Sequence, residues 1–216
     1  MQWIITVVGL AILSVLAWGV SRPAPPSYRD APLESELLPH LSVMAGRLPG
    51  RRKTKITLSK GLLGELERAI GFLNQLPPEE LLPSARWLCD NGRFLQEEAA
   101  SLKLDLKAVE ALPSTWEGES RLECFAREFL GHSSGDLRLQ KLGEALKAWQ
   151  SVTPFSGPEL ERLPLALRSV LLTILEEMAK LCASEQHAQL KAIQLTKALM
   201  KRQEKQAIRL LSLIHI

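Results

Sequence analysis

The feature that most constrains the fold is a helical repeat of leucine and other apolar residues that begins near Thr57. In its first segment, apolar residues recur every three or four positions, at Leu62, Leu63, Leu66, Ile70 and Leu73. This spacing places them on one face of an α-helix, and such a face is normally buried against other helices. Leucine and alanine dominate the chain, and both favour helices because they lose little side-chain freedom there. We therefore predict an all-α fold, with a bundle of about five to six helices in residues 57–210.

Prolines and short polar stretches predict where these helices begin and end. Ser59 is the expected N-cap of the first helix, and Leu76-Pro77-Pro78 ends it. Pro83 opens the second helix at a first-turn position, where its missing N–H costs nothing. The remaining helices are expected from about Glu119, from Asp136 to Trp149, from Pro164, and from Ala183 to Arg209.

The chain begins with an uncharged apolar run from Trp3 to Val20. At about 1.5 Å rise per residue, a helix of this length approaches the hydrocarbon thickness of a bilayer. A cleavable signal peptide would carry basic residues before the run, but none is present, and Ser21-Arg22-Pro23 follows it. We therefore predict that residues 1–21 form a single transmembrane anchor. Because the flanking arginines follow the run, the positive-inside rule predicts an outside N-terminus and a cytoplasmic helical domain at a bacterial inner membrane.

Residues 22–56 are rich in proline and show no sustained periodicity. They predict a semi-rigid, partly disordered linker, with room for only a short amphipathic turn around Leu33 to Leu41. No acidic residue occurs from Gly46 to Lys60. The cations of this stretch fit contact with anionic lipid headgroups and simple solvation equally well.

The net charge of +3 is too small to indicate a polyanionic partner. The basic segments 47–60 and 191–209 are the only support for nucleic-acid binding, and that hypothesis requires an affinity for DNA that falls steeply with salt concentration. The second segment is more often a surface helix whose partner lies elsewhere in the protein, so we expect no nucleic-acid partner. Cys89, Cys124 and Cys182 fit neither a metal-ligand nor a disulfide spacing, and they are predicted to be buried thiols in a reducing compartment.

The sequence lacks a phosphate-binding glycine loop, a nucleophile elbow and any recognised metal-ligand motif. The histidines cannot be clustered by local spacing, and we interpret His132 as a cap or turn residue. Adjacent glutamates on a helix point in diverging directions, so they form no carboxylate dyad and are expected to be solvated. We therefore predict no catalytic, cofactor-binding or metal-binding residue. The residues considered are His40, His132, His187, His215, Glu79-Glu80, Glu97-Glu98 and Glu176-Glu177.

Four blocks of the sequence stand out in order: Leu82 to Glu98, Arg127 to Asp136, Ala148 to Leu160, and Leu163 to Arg168. In this order they resemble the N-terminal region of the bacterial cyclic β-1,2-glucan synthases. The chain departs from that pattern at Phe155-Ser156-Gly157-Pro158, where proline replaces a helical residue, and at Cys89 and Gly92 in the first block.

The resemblance implies the non-catalytic N-terminal region of a very large polytopic inner-membrane enzyme. In that family a cytoplasmic glycosyltransferase module polymerises glucose from UDP-glucose through β-1,2 links, and a cellobiose-phosphorylase-like module adjusts chain length. The matching region precedes the glycosyltransferase module, so no catalytic residue carries over to this chain. The implied partners are the membrane and the downstream glycosyltransferase module of the same chain. UDP-glucose would be the donor of the parent enzyme, and no cofactor is expected in this fragment.

Two alternatives concern the end of the chain and its role. Residues 211–216 (Leu-Ser-Leu-Ile-His-Ile) resemble a translated sequencing adapter, which predicts a non-native tail after Leu210. The simpler interpretation is an ordinary apolar helix end. The alternative function is a complete, small, membrane-tethered interaction or scaffold protein, because an anchor, a linker and a helical bundle without an active site suit that role.

Overall fold

The computed structural model describes residues 36–46, 53–59, 61–115, 118–133 and 137–214, with side chains described as far as residue 205. These ranges are almost entirely helical, which confirms the all-α prediction. The described α-helices are α1 (Leu37–Gly46), α2 (Leu62–Leu73), α3 (Pro83–Lys107), α4 (Arg121–His132), α5 (Leu139–Gln150) and α6 (Gly157–Ile214). A 3-10 turn at Pro78–Glu80 and two short strands, β1 (Lys53–Thr54) and β2 (Leu112–Pro113), accompany them.

Helix α6 is the central element, because α2, α3 and α4 all pack against it. Its buried residues include Leu172, Leu175, Ala179 and Cys182. Among the side chains described for this helix, the last buried one is Gln186. The Gln186 amide accepts a hydrogen bond from the Leu82 N–H and donates one to the Glu80 carbonyl, both at 2.9 Å. Gln186 therefore ties the start of α3 to α6 at the end of the core.

The structure corrects the predicted boundaries of the longest helix. Helix α6 begins at Gly157 and contains Pro164, so the prediction that Pro164 opens it is wrong. The start is set by Glu159, whose carboxylate accepts the Ser156 N–H at 2.8 Å. This is the glutamate half of a capping box, and the helix then tolerates Pro164 with the loss of one backbone hydrogen bond. The helix also continues through Ala183, so the last two predicted helices are one.

The first bundle helix also starts later than predicted. Helix α2 begins at Leu62, and its N-cap is Gly61 rather than Ser59. Gly61 has a φ of 96°, a left-handed conformation that glycine adopts at little cost. Just before it, β1 pairs antiparallel with β2, with Lys53 opposite Pro113. This small ribbon was not predicted, because two-residue strands carry no periodic signal.

Helix α1 lies inside the segment predicted to be a linker, so that prediction is wrong for residues 37–46. Leu37, Leu41 and Ala45 are fully buried where α1 packs against α5 and α4. The Thr153 hydroxyl also donates a hydrogen bond to the Ala45 carbonyl at 2.9 Å. The four-residue spacing of these apolar positions is helical, but Pro39 in the first turn and the prolines on either side obscured so short a repeat.

Within the described ranges, no helix combines the length and the apolar character needed to cross a bilayer. The predicted anchor at residues 1–21, the predicted Asp136 cap and His215 lie outside the described residues. Cys124 and Cys182 are buried, as predicted, and form no disulfide among the described residues, whereas Cys89 is only partly buried. Burial raises the pKa of the Cys124 thiol well above its ordinary value.

Candidate functional site

Two histidines and a glutamate from distant parts of the sequence meet between α1 and α4. Glu128 and His132 lie four residues apart on α4, which places both side chains on one face of the helix. His40, on α1, brings its Nε2 to 2.7 Å from Glu128 Oε2. His132 Nε2 lies 3.3 Å from the same oxygen. We call these three residues the His–Glu–His cluster.

Helix α4 holds its part of the cluster on a well-anchored backbone. A capping box at its start joins Ser120 and Glu123, and Glu123 also accepts the Thr57 N–H at 3.1 Å. Farther along, Phe125 and Phe129 are fully buried in the aromatic core. A helix fixed at its start and along one face leaves little freedom to its other face, so the position of Glu128 is well defined.

The cluster is partly shielded from solvent. The exposed side-chain fractions are 30% for His40, 19% for Glu128 and 9% for His132. The two imidazole rings meet edge to face, with centroids 5.1 Å apart. Burial lowers the pKa of His132, against the opposing effect of Glu128. The second ring nitrogen of His132, Nδ1, is buried and has no hydrogen-bond partner among the described residues.

A cavity of about 570 Å³ adjoins the cluster, and Glu128, Gly131 and His132 form part of its wall. The charged residues described around it are four carboxylates and two cations: Glu119, Glu123, Glu128, Glu177, Lys55 and Arg127. Glu119 and Arg127 form an ion pair with each other. The described part of the wall therefore carries a formal excess of two negative charges, which favours a cation over an anion.

A second buried carboxylate, Glu159, has a complete set of partners. Arg121 reaches both of its oxygens, with Nη2 at 2.8 Å from Oε1 and 2.7 Å from Oε2. The Ser156 N–H and hydroxyl each donate to Oε2 at 2.8 Å. The Glu159 side chain has no solvent exposure, and the Arg121 side chain is 12% exposed. This site is a closed ion pair that joins α4 to α6, and it offers no free ligand position.

The structure brings together some residues that the sequence left apart. His40 and His132 meet, whereas His187 is exposed on α6 and contacts Phe72 edge to face. The spacing of Glu128 and His132 was a usable signal, but only the packing of α1 supplies His40. The interpretation of His132 as a cap residue is wrong, because Ser133 is the C-cap of α4.

The adjacent glutamates do not all behave as the sequence suggested. Glu176 is buried, and Lys180 approaches it at 2.7 Å, so the expectation of a solvated side chain is wrong there. Glu98 pairs with Arg168 at 3.1 Å, across α3 and α6. These carboxylates stabilise helix packing, and none of them belongs to the His–Glu–His cluster.

The far half of α6 is a second surface of interest. From Lys191 to Lys205 every described side chain on this helix is exposed. Four large apolar residues lie there, with exposed fractions of 39% to 66%: Ile193, Leu195, Leu199 and Met200. A helix that is exposed on all sides receives no stabilisation from a core of its own.

Comparison of the chain with known protein families, with curated proteins and with solved structures finds no match.

Proposed function

We propose that this chain is a non-catalytic helical scaffold that holds a partner module through the far half of α6. We further propose that it is the membrane-anchored N-terminal region of a cyclic β-1,2-glucan synthase. The observation that carries the scaffold role is the continuation of the core-facing stripe of α6 beyond the core. The partner would be the downstream glycosyltransferase module of the same chain.

The stripe follows a seven-residue spacing, which is close to two helical turns. Leu172, Ala179 and Gln186 are buried at this spacing. Ile193 and Met200 continue it, but they are 39% and 65% exposed. The same side of the helix therefore faces the core in one half and solvent in the other, which is a typical arrangement for a helix that receives another helix or groove.

The charges beside this stripe suggest what the partner surface looks like. Five described cations stand against one acid on this part of α6: Lys191, Lys197, Lys201, Arg202, Lys205 and Glu204. A complementary surface would be an apolar strip with acidic residues along its edges. Such a surface on the glycosyltransferase module would fix its orientation relative to the bundle.

The parent family rests on the ordered sequence blocks between Leu82 and Arg168, together with the predicted anchor at residues 1–21. An N-terminus outside and a helical domain in the cytoplasm would put the scaffold on the side where UDP-glucose is available. Reading the DNA beyond codon 210 tests this assignment. We expect further membrane spans and a glycosyltransferase module in frame. An in-frame stop would refute it and favour the small tethered interaction protein.

Two charge substitutions test the scaffold role in the full-length enzyme. Ile193→Glu with Met200→Glu places acids on the stripe, and glucosyl transfer from UDP-glucose in membranes should fall by about tenfold or more, the effect of losing a central apolar contact. Leu195→Glu is the matched control, because it lies about 200° around the helix from Ile193. Equal activity in all variants would contradict the assignment of the stripe as the docking face.

A binding measurement tests the absence of catalysis. The scaffold role predicts no saturable binding of UDP-glucose to this chain by isothermal titration calorimetry. Saturable binding with micromolar affinity would contradict it, and it would direct attention to the cavity beside Glu128.

A further inference from the structure

We propose that His40, Glu128 and His132 bind a divalent transition-metal ion, with Zn²⁺ as the favoured ion. One ligand atom from each residue lies within 4.8 Å of those of the other two. Two helices supply the ligands, and 88 residues separate His40 from Glu128. This site is independent of the scaffold role proposed above.

The distances are close to those that a bound ion would require. Zinc binds imidazole nitrogen and carboxylate oxygen at about 2.0–2.2 Å. Neighbouring ligand atoms in a tetrahedron of that size are about 3.3 Å apart. In the cluster, Glu128 Oε2 lies 2.7 Å from His40 Nε2 and 3.3 Å from His132 Nε2. The Glu128–His132 distance already matches this spacing, and the Glu128–His40 distance would widen by about 0.6 Å to admit the ion.

The type of ligand selects the class of ion. Calcium and magnesium prefer sets made entirely of oxygen ligands, whereas imidazole suits zinc and the later first-row metals. Two histidines with one carboxylate is a set found in zinc sites that keep a fourth position open. In this protein the open position would face the cavity, because Glu128 and His132 both line it. Water or a single anionic oxygen ligand would fill it.

A purely structural role explains the cluster less well. In the hydrogen-bonded arrangement one carboxylate oxygen serves two imidazoles, at 2.7 Å and 3.3 Å. The Arg121–Glu159 pair shows that this protein can satisfy a buried carboxylate completely. In the cluster, by contrast, two imidazole nitrogens converge on one carboxylate oxygen, and the excess of carboxylates on the described part of the cavity wall would attract a cation.

Metal titration of the full chain tests this site. The protein is prepared without a polyhistidine tag, treated with EDTA, dialysed and titrated with Zn²⁺ by isothermal titration calorimetry. We expect one ion per chain. His132→Ala and Glu128→Gln should each weaken binding more than about 100-fold, because loss of a ligand should exceed the effect of losing its outer-shell support. His187→Ala is the matched control, and its affinity should equal that of the wild type.

Cobalt provides an independent readout. Bound Co²⁺ should give visible d–d absorption without the near-ultraviolet band of a thiolate ligand, and His40→Ala should abolish the visible bands. Because His40 is partly exposed, its replacement should disturb the fold less than that of His132. His40→Ala therefore tests the metal site if circular dichroism shows that His132→Ala fails to fold. Absence of stoichiometric binding, a thiolate band, or equal affinity in the wild type and the cluster variants would each overturn the site.

Discussion

Glu159 and Glu128 are two shielded carboxylates that contact α4 side chains, but they differ in the charge and number of their hydrogen-bond partners. Glu159 is held by Arg121 through both oxygens and by two donors of Ser156. Glu128 is approached by two imidazoles through one oxygen, next to a cavity. The first carboxylate has a permanent positive partner. The second has partners that are donors only in particular protonation states.

This difference in partners indicates a purely structural role for the Arg121–Glu159 pair and leaves the His–Glu–His cluster able to bind a ligand. Removing one member of a buried ion pair leaves an uncompensated charge, so the loss of either Arg121 or Glu159 alone should destabilise the bundle. The metal site proposed at the His–Glu–His cluster would bind an ion with the release of protons from its ligands. Stability and binding are therefore assigned to neighbouring but separate charges.

The largest effect is expected at the closed pair. Arg121→Ala leaves the Glu159 carboxylate buried without its cation, and the free energy of unfolding should fall by about 3–5 kcal/mol. Urea denaturation followed by circular dichroism measures this change. The control is Arg93→Ala, which removes an exposed pair with Glu97 and should have no measurable effect.

A double variant sharpens the interpretation of that loss. Arg121→Met with Glu159→Leu removes both charges, and the protein should recover much of the stability lost in Arg121→Ala. If the double variant is as unstable as the single one, packing rather than the unpaired charge explains the loss. The contrast between the two carboxylates would then weaken.

The next effect concerns the cluster. Zn²⁺ at about 100 times its dissociation constant should raise the free energy of unfolding of the wild type by about 2.7 kcal/mol. Denaturation with and without Zn²⁺ measures the gain, which should vanish in His132→Ala. A gain of the same size in that variant would place the ion elsewhere.

The smallest effect is expected at Glu123, the third shielded carboxylate of this region. Burial raises its pKa, against hydrogen bonds from the Thr57 and Ser120 N–H groups. The folded state therefore holds this proton more tightly than the unfolded state, so its stabilising contribution is complete below the ordinary pKa. That contribution is lost as pH rises through the folded-state pKa. The unfolding free energy of Glu123→Gln relative to the wild type should thus increase as pH rises from the ordinary glutamate pKa through the raised folded-state pKa.

The quantity to compare is the difference in unfolding free energy between Glu123→Gln and the wild type at each pH. The other titratable groups contribute equally to both proteins, so their effects cancel. Any loss of hydrogen bonding in Glu123→Gln appears as a constant offset. Glu97→Gln, at an exposed position, is the control and should show a constant difference from the wild type. A difference that does not change with pH in Glu123→Gln would contradict the raised pKa.

The helices were predictable where apolar spacing and helix-start signals agreed. Pro83 opens α3 as predicted, because a first-turn proline and the leucine stripe point to the same boundary. The prediction at Pro164 failed because the actual start signal lies earlier: Glu159, five residues before Pro164, accepts the Ser156 N–H at the first turn of α6. Helix α1 was missed, because proline-rich composition outweighed three apolar positions.

The candidate site was not predictable as a whole. Glu128 and His132 share a helix face, and that spacing was visible in the sequence. His40 joins them only because α1 packs across α4 and α5, and a contact over 88 residues leaves no local pattern. The same holds for Arg121 and Glu159, which are 38 residues apart. Sites built between elements depend on packing, which single-sequence patterns do not encode.

The length of α6 beyond Gln186 has a geometric consequence. The 24 residues that follow Gln186, as far as Leu210, would extend about 36 Å at 1.5 Å per residue. A compact domain of about 150 residues has a radius of gyration of only about 15 Å. The far half of α6 therefore extends well beyond the radius of the bundle that carries it. A tilt of a few degrees at the base would move the tip by several ångströms.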